Sequence, residues 1–587
     1  MIKLLKNITK KEFTLCVISF FLIIGQVWLD LKMPDYMSEI TKLVETEGSQ
    51  MKDILVNGGY MLACALGSLL SAFIVGYLAS TIAANLSKNI RKKVFDKVLN
   101  LATNEVKTFS TSSLITRSTN DITQIQMLVA MGLQLLIRAP ITAIFAITKI
   151  LNKSWEWSAV TGIAVILLLA VVITIMVIVV PRFKVVQKLI DRINGVTREN
   201  LTGIRVVRAF NGEEYQENKF ENINKELTNL QLSNQKKFAI MQPMMFGTMN
   251  ILTLLVYFIG AGLISNAVLT AKLEIFGNMI VFSSYAMQVI MSFLMLAFIF
   301  MMIPRGQVSA KRINEVLEEE ITIHDGKKKD ATTEEIGTIE FRNVSFKYSD
   351  AEEYLLKNIS FKAKKGETVA IIGLTGSGKS TLINLIPRFY DATEGEVFVD
   401  GVNVKDYKQE DLRNKMGYVP QKAVLFEGTV FSNVAYGDNG KNDITEERVK
   451  TAVEVAQAKD FVEKMDDSYY AHIAQGGTNL SGGQKQRLAI ARAIAKNPEI
   501  YIFDDSFSAL DYKTDALLRK ELKKHTEDAT SIIVAQRIGT IMNADKIIVL
   551  KDGEAIGIGT HKELLKNCSV YKQIALSQLS KEELEND

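Results

Sequence analysis

Six stretches of this 587-residue chain, roughly 13–30, 54–82, 122–148, 158–180, 240–264 and 275–303, are long and apolar enough to cross a bilayer as helices. Backbone polar groups in lipid must be satisfied within each span, so the first half of the chain is expected to be an all-α bundle of six transmembrane helices. The N-terminus, "MIKLLKNITKKEF", has the basic start of a signal peptide. No small-residue cleavage site follows it and five further apolar segments do, so it reads as a retained membrane anchor. The net charge of +4 is spread along the chain without a polybasic tract, which argues against nucleic acid as a partner. Cys16, Cys64 and Cys568 stand alone, without metal-ligand spacing, and read as packing residues.

Charge between the spans sets orientation. Lys3, Lys6, Lys10 and Lys11 precede the first, and Lys88, Arg91, Lys92, Lys93 and Lys97 follow the second, whereas Asp35, Glu39, Glu45 and Glu47 lie between them. The positive-inside bias therefore places both termini in the cytoplasm. The inner loops are long and rich in helix formers and the outer ones short, as expected of helices that continue past the membrane. Near the inner turning points lie "FSTSSLITRSTNDI" (109–122) and "RENLTGIRVVRAFNGEE" (198–214), each either a solvated helical hairpin or a docking surface.

After residue 304 the character changes. A charged stretch reads as a linker over 305–336, and from 337 to 577 short apolar strands alternate with helical patterns, the mark of an α/β domain. Residues 578–587 form an acidic tail. Within the α/β domain, "ETVAIIGLTGSGKSTLINLI" is a strand, a glycine-rich turn and a helix start, with Gly373, Gly378, Lys379 and Ser380 at P-loop spacing and Thr375, Gly376, Ser377 and Thr381 completing the stretch. Glycines let backbone N–H groups curl around phosphates, the lysine neutralises the β and γ phosphates, and the serine offers a hydroxyl to Mg²⁺. Further on, the strand "IYIFDD" ends in Asp504, placed to hold the Mg²⁺ shell of ATP.

With these motifs in order, the chain resembles the ABC transporter family, in particular the six-helix (type IV) exporter half-transporters, over essentially its whole length. The resemblance implies roles that spacing alone does not. Tyr348 in "VSFKYSD" looks like the aromatic that stacks on adenine, and Gln421 in "YVPQKAVLF" like the glutamine that touches Mg²⁺ or water. Leu480, Ser481, Gly482, Gly483 and Gln484 look like the signature that caps ATP held by the opposite subunit, and Ser508, Ala509, Leu510 and Asp511 like the D-loop. The two inner hairpins become expected coupling helices. One P-loop and one signature per chain imply a partner.

The pattern departs from the family at three places. Asp505 stands where a glutamate usually polarises the attacking water, and the missing methylene shortens the side chain by about 1.5 Å, enough to take a base out of reach. Gln536 stands at the switch-histidine position, and an amide carries neither proton nor positive charge. Gln475 replaces a frequent glutamate. These departures resemble the degenerate-site subunit of heterodimeric bacterial multidrug exporters, in which the partner supplies the glutamate and histidine. A homodimer with two slow sites is the alternative assembly.

The expected function is thus ATP-driven export of amphiphilic or apolar compounds across a bacterial plasma membrane, with a lipid flippase or a nucleotide-gated sensor as rival readings. Methionines in "MQPMMFGTMN" and "MQVIMSFLMLAFIFMMI" read first as packing and second as a cargo-lining surface. Arg138 is costly if it faces lipid, and pairs inside the bundle or meets an anionic cargo group.

Overall fold

The computed structural model describes residues 2–46, 48–151, 155–265, 267, 269–328, 335–438 and 444–579. The chain divides into two compact units, one comprising residues 1–99 and 110–319, the other 100–109 and 320–587.

The first unit is helical. Among the described residues, six helices are long and apolar enough to span a membrane. The longest elements are α1 (Lys10–Glu45), α2 (Met51–Asn100), α5 (Asn120–Leu151), α6 (Trp155–Thr202), α8 (Glu213–Ser265) and α9 (Leu269–Glu318), with α3 (Thr103–Thr108), α4 (Thr111–Ser118) and α7 (Ile204–Ala209) as short helices between them. At about 1.5 Å per residue, the 50 residues of α2 far exceed a 30 Å hydrocarbon layer, so its polar half continues beyond lipid. Thr9 starts α1 through a capping box with Glu12, each side chain satisfying a backbone N–H of the other's turn. Phe73 and Phe258 are about three-quarters exposed, as apolar side chains that meet lipid or another chain are. The bundle core gathers Ile23, Val27 and Leu31 of α1, Val256 of α8, and Phe282, Tyr285 and Ala286 of α9.

Two carboxylates of this bundle, Asp30 and Asp35, are paired. Arg138 of α5 donates to Asp30 of α1 at 3.0 Å, and the Ser68 hydroxyl of α2 donates to the same carboxylate. Asp35 accepts from Lys149 at 2.7 Å and from the buried Tyr285 hydroxyl at 2.6 Å. Arg138 thus takes the internal pairing that the sequence left open. Met249 and Met279 are buried in the core, while Met244 and Met287 present partly exposed side chains.

The stretch read as a linker from residue 305 begins as helix. Helix α9 runs to Glu318 because Ala310, Ile313 and Val316 form a fully buried stripe under the charged residues.

The second unit is α/β. A six-stranded sheet has the order β10-β9-β3-β8-β7-β6, where β3 is Thr368–Gly373, β6 Met416–Val419, β7 Ile500–Asp504, β8 Thr530–Val534, β9 Lys546–Lys551 and β10 Glu554–Gly559. All its pairings are parallel except that of β10 at the edge. A four-stranded antiparallel sheet, order β2-β1-β4-β5, is made of β1 (Ile339–Phe346), β2 (Leu356–Ala363), β4 (Glu394–Val399) and β5 (Val402–Asn403). Strands β7 and β8 are buried at every residue, as parallel strands covered on both faces must be. Side chains of alternate parity feed two separate cores: Ile500 and Ile502 join one, Tyr501 and Phe503 the other.

Candidate functional site

Three strand ends of the parallel sheet build the site. Strand β3 ends at Gly373, and after the turn α10 (Lys379–Asn384) begins. A Cβ at Gly373 would lie 2.2 Å from the Leu550 carbonyl, so only glycine fits where β3 meets β9. Gly376 and Gly378 have φ of +84° and +91°, a left-handed backbone that turns the chain back over the helix start. Within this loop the Ser377 hydroxyl is buried and has no hydrogen-bond partner among the described residues. A buried orphan hydroxyl beside glycine-rich backbone at a strand-to-helix turn fits a phosphate ligand. The Lys379 ammonium donates to the Gly373 and Leu374 carbonyls at 2.9 and 2.8 Å, which holds it folded across the loop.

Ser380 and Asp504, expected to share Mg²⁺, are brought together: the hydroxyl donates to the carboxylate at 2.8 Å. Hard oxygens of this kind suit Mg²⁺, and among the described residues no three His, Cys, Asp or Glu side chains converge, so a metal here would draw most of its ligands from phosphate and water. Burial pushes the carboxyl pKa values of Asp504 and Asp505 up, and pushes that of Lys379 down against the pull of both aspartates. A bound nucleotide and cation would relieve this electrostatic tension.

Asp505 meets Gln536 because of strand register. Asp504 pairs with Val534 across β7 and β8, and the Asp505 N–H donates to the Val534 carbonyl at 3.0 Å, so the two strands end side by side and Gln536, two residues past Val534, lies within reach of Asp505. Asp505 has a φ of +46°, a conformation that Asp tolerates better than longer residues. Its Oδ2 accepts from Gln536 Nε2 at 2.8 Å and from Gln421 Nε2 at 3.3 Å. Two amides therefore converge on one carboxylate oxygen. Gln421, expected among the metal ligands, is engaged with Asp505, next door to Asp504.

The signature and D-loop residues lie together. Ser481 caps α11 (Gly482–Lys496), its hydroxyl accepting from the Gln484 N–H while the Gln484 side chain accepts from the Ser481 N–H. A Cβ at Gly483 would sit 3.3 Å from the Ala509 carbonyl, a tight contact that marks how closely the two backbones approach. Ser508 donates to the Asp505 carbonyl at 2.9 Å, Leu510 is buried, and Asp511 caps α12 (Tyr512–His525) through the Thr514 N–H. Leu480 packs against the helical core, and Gln475 is exposed. Among the described residues no hydrogen bond joins the signature to the P-loop. Tyr348 is half-buried, its hydroxyl 3.0 Å from that of Thr381, and Thr375 is exposed in the P-loop.

Two further residues bear on the site and were not singled out from the sequence. Gln578, assigned there to the acidic tail, ends α13 (Ser569–Gln578). Its side chain accepts from the Ile538 N–H and donates to the Gln536 carbonyl, both at 2.8 Å, and so clips the backbone that carries Gln536. Lys107 of α3 lies over the ring of Tyr348. Neither carries a sequence signal beyond a polar residue near a helix end.

Two family models match: the ABC transporter transmembrane region over residues 16–316 and the ABC transporter model over 356–508. An uncharacterized ABC transporter ATP-binding protein of Mycobacterium tuberculosis is 39% identical over 481 residues, 82% of this chain and 81% of its own length. An ATP-dependent lipid A-core flippase of Pseudomonas aeruginosa is 31% identical over 80% of this chain and 76% of its own length. A putative multidrug export ATP-binding/permease protein of Bacillus subtilis is 43% identical over 40% of each chain. In fold, the chain is similar to a bacterial Atm1-family ABC exporter with ATP bound, at a TM-score of 0.81 and 23% identity, covering 97% of this chain and all of that one.

Proposed function

The chain belongs to the ABC transporter family, and on that premise we propose that it is one half of a heterodimeric bacterial exporter whose own P-loop site holds ATP but turns it over slowly. The observation that carries this reading is the Asp505 carboxylate, one oxygen of which is occupied by the amides of both Gln536 and Gln421. A general base must come within about 2.6–3.2 Å of the proton it takes, and a carboxylate one methylene short and held by two amides is poorly placed to reach it. A short carboxylate serving as acceptor for two loops is better suited to tying them together than to taking a proton from water.

Each residue then has a task. The P-loop backbone, Ser377 and Lys379 cradle phosphates, Tyr348 stacks on adenine, and Ser380 and Asp504 hold Mg²⁺, which supplies charge neutralisation when bound. Ser481, Gly482 and Gly483 complete the second site on a partner half-transporter that carries glutamate and histidine. Both termini lie in the cytoplasm and the six spans in the plasma membrane. Closure of the two nucleotide-binding units on ATP shifts the membrane helices between conformations of different nucleotide affinity, and hydrolysis at the partner's site resets them. The cargo is an amphiphilic small molecule.

Ser481→Arg in this chain tests the assignment. The main ATPase activity of the purified pair should fall by at least about 100-fold, because the substituted side chain fills the space that caps the partner's nucleotide. A near-normal rate would remove the cross-subunit role. A lipid cargo is the second reading, favoured by the likeness to a protein named a lipid A-core flippase over four-fifths of this chain. Translocation of a labelled lipid, weighed against uptake of a fluorescent drug into vesicles, separates the two.

A further inference from the structure

Residues 100–109 lie in sequence between two membrane-unit segments, yet they fold with the α/β unit. Three contacts hold them there. Glu105 is buried and accepts from the Ala102 N–H at the start of α3 and from the Thr322 hydroxyl. Asn104 donates to the Ser349 hydroxyl at 2.7 Å. The Lys107 ammonium lies 5.0 Å from the centroid of Tyr348 and 5.6 Å from that of Tyr390. The neighbouring Tyr390 is the largest influence on this lysine and pushes its pKa up, so it stays charged at every physiological pH.

The two tyrosines meet edge to face, with centroids 5.5 Å apart, and Phe346 meets Tyr348 in the same manner. With its hydroxyl on Thr381, Tyr348 is steadied at its tip, along its edge and on one face. A ring held this way has lost most of its rotational freedom before any ligand arrives, and preorganisation of that kind strengthens binding.

We propose that Lys107 is a positioning residue for the nucleobase: by covering one face of Tyr348 it readies the opposite face for adenine, and it makes occupancy by the base felt in α3. The proposal rests on the reading that Tyr348 stacks on adenine. A cation over an aromatic ring at a partly exposed site changes an equilibrium by about two- to fivefold. Thermodynamic reciprocity then requires bound adenine to hold α3 in place by the same factor.

The test uses the full-length chain in detergent, titrated with ATP and with inorganic tripolyphosphate, which lacks base and sugar. Lys107→Met should weaken ATP binding about two- to fivefold and leave tripolyphosphate binding unchanged. In a Tyr348→Leu background the same substitution should have no effect. Hydrogen exchange at 103–108 should slow on adding ATP to the unsubstituted chain and not on adding tripolyphosphate. Equal weakening of both ligands would mean simple attraction of phosphate to a nearby cation, and unchanged ATP affinity would mean no role at all; either overturns the proposal. Tyr348→Leu alone with unaltered ATP affinity would sink the underlying reading of Tyr348. A Tyr348→Leu effect without a Lys107→Met effect would sink the lysine alone.

Discussion

Asp505→Glu combined with Gln536→His should speed hydrolysis at the site proposed above to be slow. General acid–base assistance is worth about 10²–10⁴ in rate, or roughly 2.7–5.4 kcal/mol at 1.36 kcal/mol per tenfold. Either substitution alone should recover little. The added methylene of glutamate advances the carboxylate by about one C–C bond, roughly 1.5 Å. The Gln536 amide is only 2.8 Å from Asp505 Oδ2 and the Gln421 amide 3.3 Å, so an advancing carboxylate meets groups already in its path. Histidine at 536 replaces the closer amide with a ring able to carry positive charge toward the γ-phosphate. The left-handed backbone at 505, with φ of +46°, disfavours glutamate by about 1 kcal/mol, small beside the expected gain. The assay is single-turnover release of labelled phosphate in a pair whose partner lacks its own glutamate. Unchanged release, with ATP still bound at normal affinity, would refute the account of why this site is slow.

Three more outcomes follow from the geometry. Burial raises the Asp505 pKa, so the folded state binds this proton more tightly than the unfolded one; the contribution is full below the unfolded pKa and is lost as pH rises through the folded value. Asp505→Asn should therefore raise the thermal midpoint near neutral pH, and the gain should shrink as pH falls toward about 4, with scanning fluorimetry as the measurement. Gln578→Leu removes both ends of the clip on the switch backbone, and exchange of the Ile538 amide should quicken about five- to tenfold, the worth of one net hydrogen bond, as read by amide exchange. Arg138→Met strands Asp30 in the bundle and should cost about 1–3 kcal/mol in detergent unfolding, below the fully buried range because the arginine is about a third exposed, while Asp30→Asn added to it should recover most of the loss.

What the sequence made legible divides along physical lines. The six spans could be read because lipid demands a long uninterrupted apolar run, a condition each segment meets by itself. The P-loop could be read because its work is done by backbone, and only glycines at fixed spacing permit the left-handed turns at 376 and 378. The end of α9 could not. In "KRINEVLEEE" the charges dominate, and only the tertiary partners that bury Ala310, Ile313 and Val316 show the stripe to be a helix face. Gln578 and Lys107 failed for a related reason: each acts on residues far along the chain, and nothing local distinguishes them from solvated polar residues.

The same distinction bears on the altered catalytic positions. Resemblance identifies Asp505 and Gln536 as departures, but it does not say whether the replacements still interact. In the structure they do. Asp505 accepts from the glutamine that follows β6 and from the one that follows β8, and its own carbonyl accepts from Ser508. An alanine at 505 would have removed the base and also severed the side-chain links among these loops. Aspartate shortens the base while retaining an acceptor for both amides. On the proposed reading, a site built this way would register nucleotide through its surrounding loops without cleaving it. That is what a half-transporter requires if its own site governs closure and its partner's site performs the hydrolysis.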